Sequence, residues 1–162
     1  MIKLRHATAR DCRMIWQWAN DPDVRAVSFA PEPIAYADHV EWFETRLADT
    51  DCRMYIAEDI TADGHPAPVG QVRFERKGQQ AAVISVSLDR QFRARGHGAR
   101  IIELACRTYL AATDTQIINA YIKADNAASL AAFKKAGFAS GNGTSVANQP
   151  AHHLFLAREE QT

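Results

Sequence analysis

The pattern of apolar and polar residues along the chain separates alternating stretches, typical of strands, from stretches with helical spacing. Strands are predicted at residues 2–6, 52–59, 68–76, 81–89 and 116–123, from residue 138 onward, and at 152–157. Helices are predicted at residues 9–20, 36–47, 98–112 and 126–136, with a short helical turn at 24–29. Tight turns are predicted at Asp63-Gly64 and Lys77-Gly78, and a loose turn at Gly141-Asn142-Gly143.

The order of these elements predicts an α+β fold. The second, third and fourth strands follow one another through short turns, so we expect them to form an antiparallel meander. The helix at 98–112 joins the fourth strand to the fifth, and a helical crossover makes that pair parallel. The result would be a mixed, mostly antiparallel sheet of about seven strands flanked by about four helices, with one cleft beside the parallel pair.

Length, charge and cysteine content restrict the class of protein. The 162 residues fit one domain, 1–162. Basic and acidic residues number 19 each, so there is no general electrostatic attraction to nucleic acid. Three cysteines, Cys12, Cys52 and Cys106, are an odd number at distant positions and are expected to be reduced thiols. No apolar run suggests a signal peptide or a membrane span, so we expect a cytoplasmic location without membrane contact.

A glycine-containing turn stands between the fourth predicted strand and the helix at 98–112. It comprises Arg93-Ala94-Arg95-Gly96-His97-Gly98-Ala99. Because glycine lacks a Cβ, the backbone at Gly96 and Gly98 can approach a ligand closely. The first amides of the helix have no partners within it, and the positive end of the helix dipole points the same way. With Arg93 and Arg95 as further donors, the turn predicts a phosphate or pyrophosphate site.

A second motif follows the glycine turn after one helix and one strand. Asn126 would cap the helix at 126–136, and Gly137 would end it. Together the two motifs resemble the signatures of the GNAT superfamily of N-acetyltransferases, and the predicted strand order is similar to that fold from end to end. The first signature matches at Arg93, Gly96 and Gly98, and the second at Asn126, Phe133, Gly137 and Phe138.

This resemblance implies acetyl-coenzyme A as co-substrate and no metal. The amides of residues 93–99 would bind the pyrophosphate, and the pantetheine arm would run along Val86 to Leu88 as an added strand. The thioester would lie where the parallel strands separate. The coenzyme-binding residues implied are Val86, Leu88, Arg93, Ala94, Arg95, Gly96, His97, Gly98, Ala99, Asn126, Ser129 and Phe133.

Phe133 departs from the family pattern, which usually places a tyrosine there to protonate the departing thiolate. Phenylalanine has no proton to give. Water, another hydroxyl or unassisted departure of the thiolate would have to replace it. The absence of this tyrosine hydroxyl is also compatible with a non-catalytic protein that only senses acetyl-coenzyme A.

The first third of the chain is similar to a branch that acetylates amino groups of nucleotide-linked sugars. The similarity rests on Trp16, Trp18, Asn20-Asp21-Pro22, Val24-Arg25, Ser28-Phe29, His39 and Trp42-Phe43. The best-known members act in pseudaminic acid synthesis, which implies a role in surface-polysaccharide assembly. Relatives that acetylate protein N-termini or antibiotics share the pattern less completely, so another small amine is the alternative. Arg25, His39 and Trp42 are the predicted acceptor contacts, and a homodimer is allowed.

Three residues are candidates for removing a proton from the attacking amine: Glu75, Ser87 and His39. The sequence does not rank them, because a register slip of one residue reverses the face of every side chain on a strand. The oxyanion would be stabilised by a backbone amide near Leu88.

Overall fold

The computed structural model describes residues 1–160 as one sheet with helices on both faces. The strands are β1 (Ile2–His6), β2 (Cys52–Ile60), β3 (Pro66–Lys77), β4 (Ala81–Leu88), β5 (Ile117–Lys123), β6 (Ala139–Val146) and β7 (Gln149–Ala157). The helices are α1 (Cys12–Ala19), α2 (Pro22–Ala26), α3 (Tyr36–Ala48), α4 (His97–Ala112) and α5 (Ala127–Lys135). Short 3-10 turns at Ala9–Asp11 and Arg90–Phe92 precede α1 and α4.

The seven strands lie in the order β1-β2-β3-β4-β5-β7-β6. β4 and β5 are parallel and every other neighbouring pair is antiparallel. This confirms the predicted α+β fold, the meander from β2 to β4 and the single parallel pair. Within residues 1–160, no helix has both the length and the apolar character that crossing a membrane requires.

The parallel pair separates soon after it begins. Its partners are Ala81 with Ile117, Ala82 with Ile118, and Val83 with Asn119. β4 then continues to Leu88 and β5 to Lys123 without further pairing between them. The edge of β4 that faces β5 therefore has backbone groups free of strand partners from Ile84 onward, as predicted for the cleft.

The two faces of the sheet carry separate cores. One core packs against α4 and α5, where the Phe74 ring stacks on Tyr109 with centroids 4.2 Å apart. The other packs against α1 and α3 around the buried side chains of Ile15 and Phe43. Because side chains alternate along a strand, β3 sends Phe74 to the first face and its odd-numbered neighbours to the second.

The C-terminal hairpin differs from the sequence prediction. The turn between β6 and β7 is Ala147-Asn148, and both residues have positive φ, 50° and 61°. Residues 141–143, predicted as a loose turn, lie inside β6, where the register shifts. A Cβ on Gly141 would come within 2.5 Å of His153 Nδ1, so this glycine permits close approach of a ring and does not reverse the chain.

Candidate active site

The glycine turn begins α4 with backbone geometry suited to an anion. Gly96 precedes the helix with φ of +78°, and Ala94 also lies in the left-handed region at +59°. A Cβ on Gly96 would find no atom within 4 Å, so the space before the first helical amides is open. Residues 94–96 are exposed. Free amides at the start of a 16-residue helix, reached through this turn, fit the diphosphate of a coenzyme.

Gly98 lies one residue inside α4, where the helix meets its neighbours. A Cβ there would be 3.6 Å from the side chains of both Leu88 and Ala132. The start of α4 therefore packs against the end of β4 and against α5. This contact brings the turn, the free edge of β4 and the second motif to one place.

The Arg93 side chain is oriented differently from the prediction. Its guanidinium donates to the Leu88 carbonyl at 2.9 Å and pairs with Asp21 at 3.2 Å and Asp23 at 3.6 Å. These donors are therefore engaged within the protein, whereas the sequence predicted that they would be available to a phosphate. Arg95 is exposed and forms no ion pair among residues 1–160, so it is the side-chain cation that the turn offers.

Asp21 connects the N-terminal helices to the connection between β4 and α4. Its carboxylate accepts from Arg90 at 3.1 Å and from Arg93, and it caps α2 through the Asp23 amide. The Arg90 hydrogen bond is the main reason why the pKa of Asp21 is lowered to about 2. A second link runs beside it, since Trp18 Nε1 donates to Asp89 at 2.9 Å. The N-terminal helices are thus fastened to the segment that carries the glycine turn.

The second motif forms α5 as predicted. Asn126 caps the helix by accepting from the Ser129 amide at 3.2 Å. The Phe133 side chain is buried and meets Phe138 edge to face, with centroids 5.0 Å apart. Phe133 therefore belongs to the apolar core between α4, α5 and the sheet.

On the opposite face of the sheet, a cavity of about 310 Å³ lies between β3 and the N-terminal helices. It contains all three residues predicted as acceptor contacts. The lining residues are Ile15, Ala19, Arg25, Ile34, Asp38, His39, Trp42, Gln71 and Arg73.

His39 is held in one tautomer at the wall of this cavity. Nε2 lies 2.9 Å from the Cys12 carbonyl, which can only accept, so Nε2 carries the proton and Nδ1 keeps a lone pair. The ring stacks on Phe43 at a centroid distance of 5.8 Å. Burial lowers the pKa of His39, and the neutral imidazole prevails at neutral pH.

The other two candidate bases lie at different places along the sheet. Ser87 Oγ accepts from Gln71 Nε2 at 3.2 Å, on the face that carries the cavity and near the open end of β4. Glu75 lies four residues further along β3, outside the cavity lining, and its carboxylate is within 4 Å of Arg46, Arg73 and Lys77. The structure therefore brings Ser87 and His39 to the cavity side and keeps Glu75 in an ion-pair cluster.

Arg25 lines the cavity and also holds the loop that closes it. Nε donates to the Ala19 carbonyl at 2.6 Å and Nη1 to the Ala30 carbonyl at 2.7 Å. Burial lowers its pKa. Nη2 has no hydrogen-bond partner among the described residues, so part of the guanidinium remains available to a ligand.

Two polar cavity residues, Gln71 and Arg73, were not predicted from the sequence. They alternate on β3 with the buried Val72 and Phe74. Polar residues at every second position of a central strand indicate a face that meets something other than an apolar core. That alternation was the available signal.

The fold and the turn define the class of protein. The family model described as an acetyltransferase (GNAT) domain matches residues 2–139. The chain therefore belongs to the GNAT acetyltransferase family. This membership confirms the predicted enzyme class, an acetyl-coenzyme A-dependent N-acetyltransferase. Among curated proteins, none matches the chain.

Several solved structures share the fold. The aminoglycoside acetyltransferase AAC(6')-Ib, solved with ribostamycin and coenzyme A, is 19% identical, with a TM-score of 0.82 over 97% of this chain and 93% of that one. Spermidine N-acetyltransferase from Vibrio cholerae, solved with CoA and spermine, is 16% identical, with a TM-score of 0.82 over 96% and 95%. A domain from Methanocaldococcus jannaschii is 16% identical, with a TM-score of 0.81 over 96% and 99%.

Proposed function

We propose that this protein transfers the acetyl group of acetyl-coenzyme A directly to the amino group of a nucleotide-linked sugar. The observation that carries the proposal is the exposed turn at Gly96, placed next to the point where β4 and β5 separate. The helix N-terminus suits the diphosphate of the coenzyme. The free strand edge suits its amide-containing pantetheine arm.

Acetyl-coenzyme A would supply the activated thioester. Within the chain, the amides of residues 94–99 and the Arg95 side chain would hold its phosphates. The free edge of β4 from Val86 to Leu88 would hydrogen-bond the pantetheine arm, with Asn126 and Ser129 on the other side of the cleft. A backbone amide near Leu88, fixed by the strand, would stabilise negative charge on the carbonyl oxygen.

The acceptor amine must lose a proton, and the cavity offers two groups near it. His39 is neutral because of its burial, and Nδ1 has a lone pair that can accept the proton. Ser87 can orient the amine or a relaying water through its hydroxyl. We assign His39 as the leading base, since its neutral imidazole can accept a proton from the amine.

The choice of a sugar acceptor rests on the N-terminal pattern and on the cavity. Its volume of about 310 Å³ is at the low end for ligand pockets, which suits a sugar ring with the nucleotide outside. Trp42 provides an aromatic wall, and the two arginines of the lining, Arg25 and Arg73, would bind the diphosphate. The aminoglycoside and spermidine acetyltransferases that share the fold are likewise named for amine acceptors.

The test is to incubate the protein with acetyl-coenzyme A and UDP- or dTDP-linked amino sugars while following release of free thiol. Turnover with sugars is expected. If only N-terminal peptides or other amines are acetylated, the proposed sugar acceptor is wrong and the acceptor is the amine that reacts. Tight coenzyme binding without turnover on any amine would indicate a non-catalytic acetyl-coenzyme A sensor. The lack of a hydroxyl at Phe133 supports that alternative. Light scattering on the same sample tests the homodimer.

A further inference from the structure

Gln71 places an unpartnered polar atom at the floor of the cavity. The residue is 7% exposed, and its Nε2 donates to Ser87 while its Oε1 has no partner among the described residues. Turning the amide over would pair Oε1 with the Ser87 hydroxyl and leave Nε2 alone instead. Either way one buried amide atom lacks a hydrogen bond, which is costly unless a ligand or a water supplies it.

Arg73 stands beside Gln71 on the same face of β3. Its side chain is 21% exposed, and its guanidinium lies 4.9 Å from the centroid of the Trp42 ring. Its hydrogen bond to Ser85 Oγ is 3.3 Å long, and Nε is ion-paired with Glu75 Oε1 at 3.3 Å without hydrogen-bond geometry. A guanidinium has five donors, so most of its capacity is unused. The ring of Trp42 keeps the planar group in position.

The charges around Arg73 leave the cavity positive. Glu75 is the carboxylate nearest to it at 3.3 Å, but the same carboxylate lies 3.3 Å from Arg46 and 3.8 Å from Lys77. Asp49 adds a second carboxylate 3.9 Å from Arg46, so two negative charges face three positive ones. Of the remaining lining residues, Arg25 is cationic and Asp38, which is exposed, is the single acid. His39 is neutral at this wall.

Building on the proposed function, we propose that the cavity selects amines that also carry an anionic group, a carboxylate or a phosphate, and rejects polycations. Arg73 binds the anion, and Gln71 hydrogen-bonds the amine end near Ser87. Residues two apart on a strand are about 7 Å apart, so a few bonds separate the amine from the anion. A polyamine would place its second cation against Arg73 and give that guanidinium no anionic partner.

Calorimetric titration of the full chain, with coenzyme A present, tests this with matched probes. Ethanolamine phosphate is compared with ethanolamine, β-alanine with β-alaninamide, and spermidine with all four. We expect at least one probe that carries an anionic group to bind about tenfold or more tightly than its matched partner without that group, the effect of a charged hydrogen bond. Which pair shows the difference distinguishes phosphate from carboxylate.

Variants assign the effect to the floor of the cavity. Arg73→Gln should remove the preference, Arg73→Lys should keep part of it, and Gln71→Leu should weaken binding of every amine. Arg53→Gln, an arginine on the neighbouring strand β2, and Gln17→Leu, an exposed position on α1, are the matched controls and should change nothing. Thermal unfolding of each variant shows that it is folded.

Equal binding within both pairs, tighter binding of spermidine, absence of binding by the anionic probes, or a preference that survives in Arg73→Gln would each overturn the proposal. If the proposed acetyltransferase function is wrong but the anion preference is right, the experiments give a different result. In that case the anionic probes bind and respond to Arg73→Gln, but no amine in the thiol-release assay is acetylated.

Discussion

Gly96 combines a left-handed backbone conformation with a position in the predicted coenzyme site. Its φ of +78° is unfavourable for any residue with a Cβ, and the space beside it is open. Gly96→Glu is expected to cost about 1–2 kcal/mol of stability through the backbone and to abolish coenzyme binding by placing a carboxylate before the helix amides. Urea unfolding and calorimetric titration with coenzyme A measure the two effects.

A matched control separates strain from charge. Gly78, in the turn between β3 and β4, has φ of +77° and the same open surroundings. Gly78→Glu should therefore lose similar stability and bind coenzyme A normally. If Gly96→Glu keeps the affinity of the native protein, the turn does not bind the diphosphate.

Phe133 occupies the position at which the family usually has its proton donor. Phe133→Tyr is expected to maintain or raise the rate of thiol release, because the new hydroxyl can protonate the departing sulfur. The comparison is kcat for the two proteins at saturating acetyl-coenzyme A. Phe138→Tyr adds a hydroxyl to the other ring of the same edge-to-face pair and should give no gain. A clear drop in kcat for Phe133→Tyr would mean that the ring only packs in the core.

At the scale of single elements, the attachment of α2 to the segment before α4 depends on Asp21. Asp21→Asn removes the charge that binds Arg90 and Arg93, so we expect a lower melting temperature and weaker coenzyme binding. Asp23→Asn is the control, because that carboxylate is 73% exposed and lies 3.5 Å and 3.6 Å from the same arginines. Exposed pairs contribute little, so its effect should be much smaller. Equal losses in both variants would contradict a special role for Asp21.

The elements also show what the sequence could and could not predict. Period-two and helical patterns placed β4, α4 and α5 correctly, and the glycine spacing placed the start of α4. The patterns did not place the β6–β7 turn, because Ala147-Asn148 has no glycine to mark its positive φ. Glycine at position 141 suggested a turn and instead makes room for His153.

Side-chain partners brought together from distant segments were harder to predict. The pairing of Arg93 with Asp21 joins residues 72 positions apart, and a local motif contains no sign of it. Gln71 and Arg73 alternate with apolar residues on β3, but the sequence does not show that α3 packs over them and forms a cavity. Arg25, His39 and Trp42, which line the cavity, were predicted as acceptor contacts because their residue types suit an acceptor and their helices come before the meander.

At the scale of the whole molecule, the sheet lies between the proposed coenzyme site and the proposed acceptor cavity. The turn and the free edge of β4 lie beside α4 and α5, and the cavity lies under α1 and α3. Ser87 and Gln71 stand near the end of β4 where these regions approach each other. A direct transfer needs such a meeting point, because the amine must reach the thioester without an enzyme-bound intermediate.

The same architecture predicts how the fold responds to acid. The pKa of Asp11 is lowered, first of all by its hydrogen bonds from Arg5, and Arg90 lowers the pKa of Asp21 to about 2. A carboxyl with a folded pKa below its unfolded value of about 4 stabilises the fold fully above that value. The contribution disappears as the pH falls from about 4 towards 2, since the unfolded chain then binds protons that the folded chain does not.

The free energy of unfolding, measured by urea titration at fixed ionic strength, should therefore fall steeply between about pH 4 and pH 2. Asp11→Asn and Asp21→Asn should each have a shallower slope in that interval, because each removes one group that takes up a proton on unfolding. These two aspartates hold opposite ends of α1, one near β1 and the other near α4, so their shared acid response would show that the N-terminal helices unfold together with the sheet. If the free energy of unfolding of both variants depends on pH as steeply as that of the native protein, the acid-sensitive groups are other residues.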